Sequence, residues 1–368
     1  MIIQENVSLA DLTTIQVGGQ ARYVLTVENC GDVRAAVSFA RERNLPWFVL
    51  GGGSNVIAQG DFDGVIILNR IAGFRELDDA VFQIGAGEIT DEVIAKLCAQ
   101  KLSGMECLSL IPGRVGALPV QNVGAYGQEI AQTLTELTVF DARDNQFKIL
   151  SRDDCEFAYR DSIFKSQENR HYIICDITLR LNRDWLQPPF YPALENYLLE
   201  KFPQNVAPNG EFRERFSPSQ IRDAVIAIRN SKLPPVAEIP SAGSFFKNPI
   251  VDADFAQKFL AKFPDAPHWA MENEHQSDGK IAANKCEKLS AGWLIDRAGL
   301  KGFAKYGFQI YPENALVITH IAVAKNRENS ASVRENSAEN LAKFKNEIIE
   351  KVREKFGVML EQEPESLC

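Results

Sequence analysis

Five segments of this chain carry residue types whose spacing could do chemistry. Leu50-Gly-Gly-Gly-Ser-Asn55 follows an apolar run, and three residues without side chains let backbone N–H groups approach a phosphate or diphosphate. A plain tight turn would use the same residues. The segment has neither the G-K-[ST] ending of a P-loop nor the G-x-G-x-x-G spacing of a dinucleotide turn, so ATPase and ordinary Rossmann readings fall away. Ile111-Pro-Gly-Arg-Val-Gly116 and Gln121-Asn-Val-Gly-Ala-Tyr-Gly127 show almost no helical or strand period. The exposed backbone of such a loop needs partners, which points to binding over a spacer.

Ala158-Tyr-Arg-Asp-Ser-Ile-Phe-Lys165 sets Arg160 and Lys165 around a polar run. A guanidinium there either grips a carboxylate in a two-pronged way or pairs locally with Asp161. In Pro240-Ser-Ala-Gly-Ser-Phe-Phe-Lys-Asn-Pro249, a hydroxyl held at Ser244 could donate a proton to a strongly basic acceptor such as a carbanion or enolate. The other reading is a turn whose Phe245 and Phe246 enter the core. Leu360-Glu-Gln-Glu-Pro-Glu365 reads locally as a solvated charged tail. His171, His268, His275 and His320 lack metal-ligand spacing, and the seven cysteines contain no C-x-x-C pair. No metal site is expected, and most of the cysteines are expected to be buried, reduced thiols.

Elements that must position these segments are visible as hydrophobic period. Asp32 is expected to cap a helix buried through Val33, Ala36, Val37 and Ala40, followed by strands over 46–50, 65–68 and 81–84. A helix over 91–98, a hairpin of 137–140 with 147–150 about Asp144 and Asn145, and a strand over 172–181 come next. Residues 203–219 read as a linker, closed by a Ser217/Gln220 capping box with Pro218 at the first helical position and a stripe of Ile221, Ala224, Val225 and Ile228. Later helices are predicted over 252–263, 289–298 and 339–356. Residues 269–285, with His275 and Asp278, read as a polar surface loop, and 327–340 as a solvated loop or fraying helix start.

With 368 residues, 45% hydrophobic and 24% charged, the composition is that of an ordinary globular chain of two or three domains, and the strands and helices read above suit an α+β class. The predicted units are 1–70, 71–215 and 216–368. Forty Lys and Arg against 49 Asp and Glu give 40 − 49 = −9, which opposes non-specific binding to nucleic acid or anionic membrane yet permits a local basic pocket. No run of about 18 apolar residues exists to span a bilayer, and the N-terminal residues lack a basic-then-apolar leader, so a cytoplasmic protein is expected.

Taken together and in this order, the segments resemble the UDP-N-acetylenolpyruvoylglucosamine reductase family, flavoenzymes of bacterial peptidoglycan precursor synthesis. The resemblance rests on Gly51-Gly-Gly-Ser-Asn55, Ile111-Pro-Gly113, Gln121-Asn-Val-Gly-Ala-Tyr-Gly127, Tyr159-Arg-Asp-Ser162, Gly243-Ser-Phe-Phe-Lys-Asn-Pro249 and Ala291-Gly-Trp-Leu-Ile-Asp296 with Gly299-Leu-Lys-Gly302, and it covers nearly the whole chain. It implies a two-part FAD-binding fold like that of the vanillyl-alcohol oxidase and p-cresol methylhydroxylase superfamily, followed by an α+β substrate-binding domain. It further implies tightly bound FAD, NADPH as co-substrate, and UDP-GlcNAc-enolpyruvate as the acceptor, with hydride added at C3 and negative charge developing at C2. No obligate protein partner is expected.

By the same resemblance, Gly51, Gly52, Gly53, Ser54, Asn55, Pro112, Gly113, Gly116, Ala117, Asn122, Gly124, Ala125 and Tyr126 would contact FAD. Arg160 would grip the substrate carboxylate, Ser244 would protonate C2, and Glu363 would be the catalytic glutamate, with Glu361 as its rival. Glu363 would bind as the neutral acid or lean on Arg160. Tyr159, Tyr191, Lys232 and Asn248 would contact substrate, and Tyr191 after Pro188 and Pro189 matches the loop-bearing subclass. Three departures stand out, one being that residues 269–285, with His275 and Asp278, exceed what the resemblance explains. Ala117 and Leu118 replace the Ser-Ser of many relatives, and Pro364, Glu365 and Ser366 replace the usual apolar run after Glu363, which predicts a shortened terminal strand. Two alternatives remain: an oxidase on the same fold, needing neither an NADPH site nor a proton donor at Ser244, and a non-catalytic nucleotide-sugar binder.

Overall fold

Asn29, not Asp32, caps the first helix. The computed structural model, which describes residues 1–207, 211–235, 237–271, 286–325 and 336–368, begins that helix at Cys30. The Asn29 side chain accepts from the Asp32 N–H at 3.0 Å, and the Asp32 carboxylate accepts from the Glu28 N–H at 3.1 Å. One orphan donor of the first turn is thus satisfied, and Asp32, inside the helix, reaches back to the residue before the cap.

The chain packs as two units. The first comprises Met1–Ser8, Gln20–Gly53 and Asp61–Lys232. Its four-stranded sheet runs in the order Ile2–Ser8, Gln20–Val27, Phe62–Asn69, Trp47–Leu50. Phe62–Asn69 is parallel to both neighbours, and its Val65, Ile66 and Ile67 are fully buried, the continuous apolar run that a strand covered on both faces requires. Helix Cys30–Glu42 packs the predicted Val33, Ala36, Val37 and Ala40 against Leu25, Val65 and Ile67.

A five-stranded antiparallel sheet follows in the same unit, ordered Gln146–Ser151, Leu134–Asp141, Tyr172–Arg180, Val81–Gly85, Phe74–Asp78. The expected hairpin about Asn145 is its first pair, with Asn145 left-handed at φ +56°. Helix Thr90–Ala99 buries Val93, Ile94 and Leu97 with Ile84, Leu137 and Ile177.

The Ser217 capping box forms as predicted: the Ser217 N–H donates to Gln220 Oε1 at 2.9 Å, and the Gln220 N–H donates to Ser217 Oγ at 3.3 Å. Its helix, Pro218–Lys232, was expected to open a third unit from residue 216, but packs in the first. The cause is its stripe of Ile221, Ala224, Val225 and Ile228, which buries against Leu194, Leu198 and Phe216 and against Cys107.

The second unit comprises Leu9–Gly19, Ser54–Gly60 and Leu233–Cys368. One sheet runs Ser241–Ser244, Val317–Thr319, Phe308–Ile310, Ala304–Lys305; another runs Ile250–Asp252, Cys286–Leu289, His268–Met271. Helices Ala253–Lys262, Ala291–Arg297 and Ser337–Phe356 enclose a core of Phe245, Phe246, Leu294, Ile295, Phe344 and Ile348, to which Ile15, Val17 and Ile57 contribute from far earlier in the chain. The terminal strand is short, Glu365–Leu367, and pairs in parallel with Val56–Ala58. Of the predicted polar loop at 269–285, residues 269–271 belong to a strand, while 272–285, including His275 and Asp278, lie outside the described residues, as do 326–335. No helix among the described residues is long and apolar enough to cross a membrane.

Candidate active site

The first unit brings its two glycine-rich segments into direct contact. A Cβ built on Gly52 would sit 2.8 Å from the Cα of Gly113, and one on Gly116 would sit 2.6 Å from the Cβ of Ala86. Both clashes are with backbone or a backbone-fixed methyl, so only glycine permits this approach. Arg70 Nη1 donates to Gly51 O at 2.9 Å, and the Arg114 Cβ lies 3.6 Å from where a Gly51 side chain would begin. Burial, and then the neighbouring Arg114 charge, lower the Arg70 pKa from its ordinary value. Close-packed glycine backbone with two guanidinium-bearing residues beside it suits a dinucleotide diphosphate, and Gly51, Gly52, Gly53, Gly113 and Gly116 would hold FAD there. Pro112 and Ala117 are exposed on the same segment, while Leu118 turns into the core.

The 121–127 segment is a short 3₁₀ turn running into a two-residue hairpin. Gly124 and Ala125 pair with Gln128 and Glu129, and the central residues, Tyr126 at φ +50° and Gly127 at φ +86°, are both left-handed. That pair of positive φ angles is what a type I′ hairpin demands. Asn122 is also left-handed at φ +44°, and its buried amide is committed within the unit, donating to Glu129 Oε2 at 2.7 Å and accepting from the Ala131 N–H at 3.2 Å. Its side chain thereby shapes the loop.

Arg160 has φ +54°, an uncommon conformation for a residue with a Cβ. Ala158 and Asp161 exchange both backbone hydrogen bonds at 3.2 Å across it, and Arg160 Nη2 donates to Gly124 O at 2.9 Å. Its guanidinium also lies 5.4 Å from the Tyr159 ring centroid. Tyr191 is exposed and meets Tyr126 edge to face at 5.6 Å, so the structure brings these two predicted residues together. Lys232 ends its helix exposed.

In the second unit, Ser244 ends strand Ser241–Ser244 opposite Val317, after a register break at which Gly243 takes φ +71°. Phe245 and Phe246 are buried, as the core reading of this segment expects, and they anchor a half-buried Ser244. The Glu363 N–H donates to Phe245 O at 2.9 Å and the Lys247 N–H donates to Glu361 O at 2.9 Å, so the acidic end is not a loose tail. The Glu361 carboxylate, largely exposed, pairs with Lys247 Nζ at 2.5 Å. Asn248 Oδ1 accepts from the Ala291 N–H at 2.9 Å, at the start of the helix Ala291–Arg297 that Ser290 caps. Asn55 lies beside the terminal strand, its carbonyl accepting from the Glu365 N–H at 2.9 Å.

Comparison with known proteins settles the lineage. Residues 21–149 match the family described as FAD binding domain, and residues 234–367 match the one described as UDP-N-acetylenolpyruvoylglucosamine reductase, C-terminal domain. The UDP-N-acetylenolpyruvoylglucosamine reductase of Cupriavidus pinatubonensis is 38% identical over 348 residues, covering 94% of this chain and 93% of its own. That of Ralstonia nicotianae is 38% identical over 358 residues, covering 95% of each. The chain belongs to the UDP-N-acetylenolpyruvoylglucosamine reductase family. The fold is also that of the reductase from Thermus caldophilus, with a TM-score of 0.64 at 24% identity over the whole of both chains.

Several residues that support the reductase site escape sequence reasoning. Arg70 was one apolar-flanked arginine among many. Arg222 and Arg229 lie seven apart on helix Pro218–Lys232, and so on one face of it. Arg222 binds Asp91, and Arg229, its pKa lowered by burial, donates to Leu110 O at 3.4 Å.

Proposed function

We propose that this reductase carries hydride from NADPH, by way of FAD, to the enolpyruvyl group of UDP-GlcNAc-enolpyruvate, giving UDP-N-acetylmuramate for peptidoglycan synthesis. The observation that carries the reading is the near full-length match to reductases of that name, whose C-terminal domain model spans both Ser244 and Glu363. FAD, when bound, supplies the two-electron chemistry that links NADPH to the sugar nucleotide. Gly51, Gly52, Gly53, Ser54, Asn55, Pro112, Gly113, Gly116, Ala117, Asn122, Gly124, Ala125 and Tyr126 are its proposed contacts, the glycines through their backbone groups, close to which a Cβ at Gly52, Gly116 or Gly124 would not fit.

Arg160 is proposed to hold the substrate carboxylate. Its side chain is already steered by Gly124 O, and its strained backbone is the kind of feature that clusters at functional sites. A guanidinium fork on that carboxylate stabilises the charge that spreads into it when hydride reaches C3. Ser244 then protonates C2. Serine is too weak an acid to do so unless the acceptor is strongly basic, and C2 beside a carboxylate becomes such an acceptor in this step.

Glu363 is proposed as the catalytic glutamate, acting as the neutral acid because an ionised carboxylate would repel the accumulating charge. Two contacts favour it over Glu361: its N–H pairs with the carbonyl of the residue after Ser244, and Glu361 is exposed and occupied by Lys247. Tyr159, Tyr191, Lys232 and Asn248 are the proposed substrate contacts. The Asn248 oxygen faces Ala291, which turns its NH₂ donor away from the helix. A reducing, cytoplasmic setting fits seven free cysteines, and no obligate protein partner or nucleic acid is invoked.

An anaerobic flavin absorbance trace tests the reading. Bleaching by NADPH and recovery on addition of UDP-GlcNAc-enolpyruvate is the expected course. Recovery with oxygen but not with substrate would make the protein an oxidase.

A further inference from the structure

Between Glu363 and Glu365 the chain changes partners. Upstream it pairs antiparallel with the segment after Ser244, through Glu361, Gln362 and Glu363; downstream, Glu365–Leu367 runs parallel to Val56–Ala58. The residue at the crossing is Pro364, which has no N–H to give to either ladder. The side chain of Gln362 closes this gap. Its Nε2 donates to Pro364 O at 2.6 Å and to Ser366 Oγ at 3.3 Å, forming a ring that encloses Glu363. Lys345 of helix Ser337–Phe356 donates to Gln362 Oε1 at 3.2 Å. An ammonium can only donate, so it fixes the amide with oxygen toward the helix and nitrogen toward Pro364.

We propose that Gln362, oriented by Lys345, is a positioning residue that aims the Glu363 carboxyl for reduction of the enolpyruvyl substrate. The inference rests on the catalytic role assigned to Glu363 above. Gln362 holds the chain on either side of that residue, through Pro364 O and Ser366 Oγ, so its loss misplaces the acid without removing it. A misplacement of about 1 Å at a reacting group costs up to about 10²-fold in rate, and loss of one clamp among several is expected to cost about tenfold.

Stopped-flow measurement on the FAD-loaded protein separates the alternatives. Gln362→Leu should be reduced by NADPH within twofold of the wild-type rate, while its reoxidation by UDP-GlcNAc-enolpyruvate slows about tenfold with KM little changed. Gln362→Glu keeps the oxygen that Lys345 needs but sets a second oxygen against Pro364 O, and should behave like Gln362→Leu. Lys345→Met, farther from the chain crossing, should slow the same step two- to threefold by the same reasoning. In a Glu363→Gln background, Gln362→Leu should cost nothing more, because the group it aims is gone. Reoxidation of Gln362→Leu within twofold of wild type, or an equal further loss in the Glu363→Gln background, overturns the positioning role. Should Glu363→Gln itself reoxidise at the wild-type rate, the catalytic assignment falls and this proposal with it; a slow Glu363→Gln beside a normal Gln362→Leu defeats the positioning role alone.

Discussion

Arg222 holds Asp91 through two parallel hydrogen bonds, Nη1 to Oδ1 at 2.5 Å and Nη2 to Oδ2 at 2.9 Å, and the same Oδ1 accepts the Leu110 N–H at 2.6 Å. One carboxylate thereby ties helix Pro218–Lys232, helix Thr90–Ala99 and the left-handed Leu110 just before the 111–116 loop. The Arg222 hydrogen bond is the main cause holding Asp91 below its ordinary carboxylate range, and Arg222 is raised in turn. A depressed carboxylate stabilises the fold above its unfolded pKa of about 3.9 and loses that contribution as pH falls through the lower folded value. Arg222→Ala should cost about 1–2 kcal/mol at pH 7, discounted because the pair is part-exposed. The gap between urea midpoints at pH 7 and pH 3 should narrow in the variant; an unchanged gap would show that acid sensitivity arises elsewhere.

Gly52→Ala should lose flavin. Its new Cβ would fall 2.8 Å from backbone at Gly113, so one of the two loops must move. The overpacking is expected to cost about 1–3 kcal/mol, felt mostly in cofactor affinity because the loops are the proposed binding surface. The ratio of flavin to protein absorbance after purification reads this directly, and a full complement of FAD would refute it.

Ser244→Ala should separate the half-reactions. Reduction by NADPH needs no proton from this hydroxyl and should be nearly intact, whereas reoxidation by the enolpyruvyl substrate should fall by about 10²–10⁴-fold. Equal losses in both halves would remove Ser244 from the proton-donor role.

Arg160 offers a test in which stability and activity part company. Arg160→Lys keeps the charge and the left-handed backbone but not the planar fork, and should slow substrate reduction without lowering the melting temperature. Arg160→Gly relieves about 1–2 kcal/mol of left-handed strain against an entropy cost of about 0.5–1 kcal/mol. It should therefore melt no lower than wild type while losing substrate reduction. A glycine variant that melts clearly lower would show that the side chain's bond to Gly124 O holds the loop together.

Thiol labelling should sort the seven cysteines by exposure, with Cys30 and Cys286, both partly exposed, between the extremes. Cys368 is exposed, whereas Cys98, Cys107, Cys155 and Cys175 are buried, and burial raises all four, Cys98 and Cys155 to about 12. A neutral aromatic disulfide reagent at pH 8 should react rapidly with Cys368 and lose that phase in Cys368→Ser. The four buried thiols should appear only on unfolding; rapid labelling of any of them would mean that its core opens locally.

Local chemistry was the legible part of this sequence. The Ser217/Gln220 box, the stripe beginning at Val33 and the hairpin about Asn145 follow from contacts within a few residues, and each forms. Asn29 displaced Asp32 as cap because both side chains suit that role, and only the backbone at Cys30 decides between them. Gly52 and Gly116 were visible as glycines, but not what they approach, since Gly113 and Ala86 are brought there by tertiary packing. Glu363 looked like a residue in a solvated tail because its partner, Phe245, lies more than a hundred residues away. Helix Pro218–Lys232 shows the same limit: its stripe was plain, and the surface that stripe would choose was not.

Val56–Ala58 waits for its parallel partner until residues 365–367 exist, and Ile15, Val17 and Ile57 belong to a core completed by residues from 233 onward. At ribosomal speeds of about 5–20 residues per second, the strand stays unpaired for roughly 15–60 s after it is made. The apolar residues of these two segments therefore reach their core only once the later part of the chain has been made. For that interval the nascent polypeptide displays them to any chaperone or aggregating neighbour, making the birth of this enzyme its most vulnerable moment.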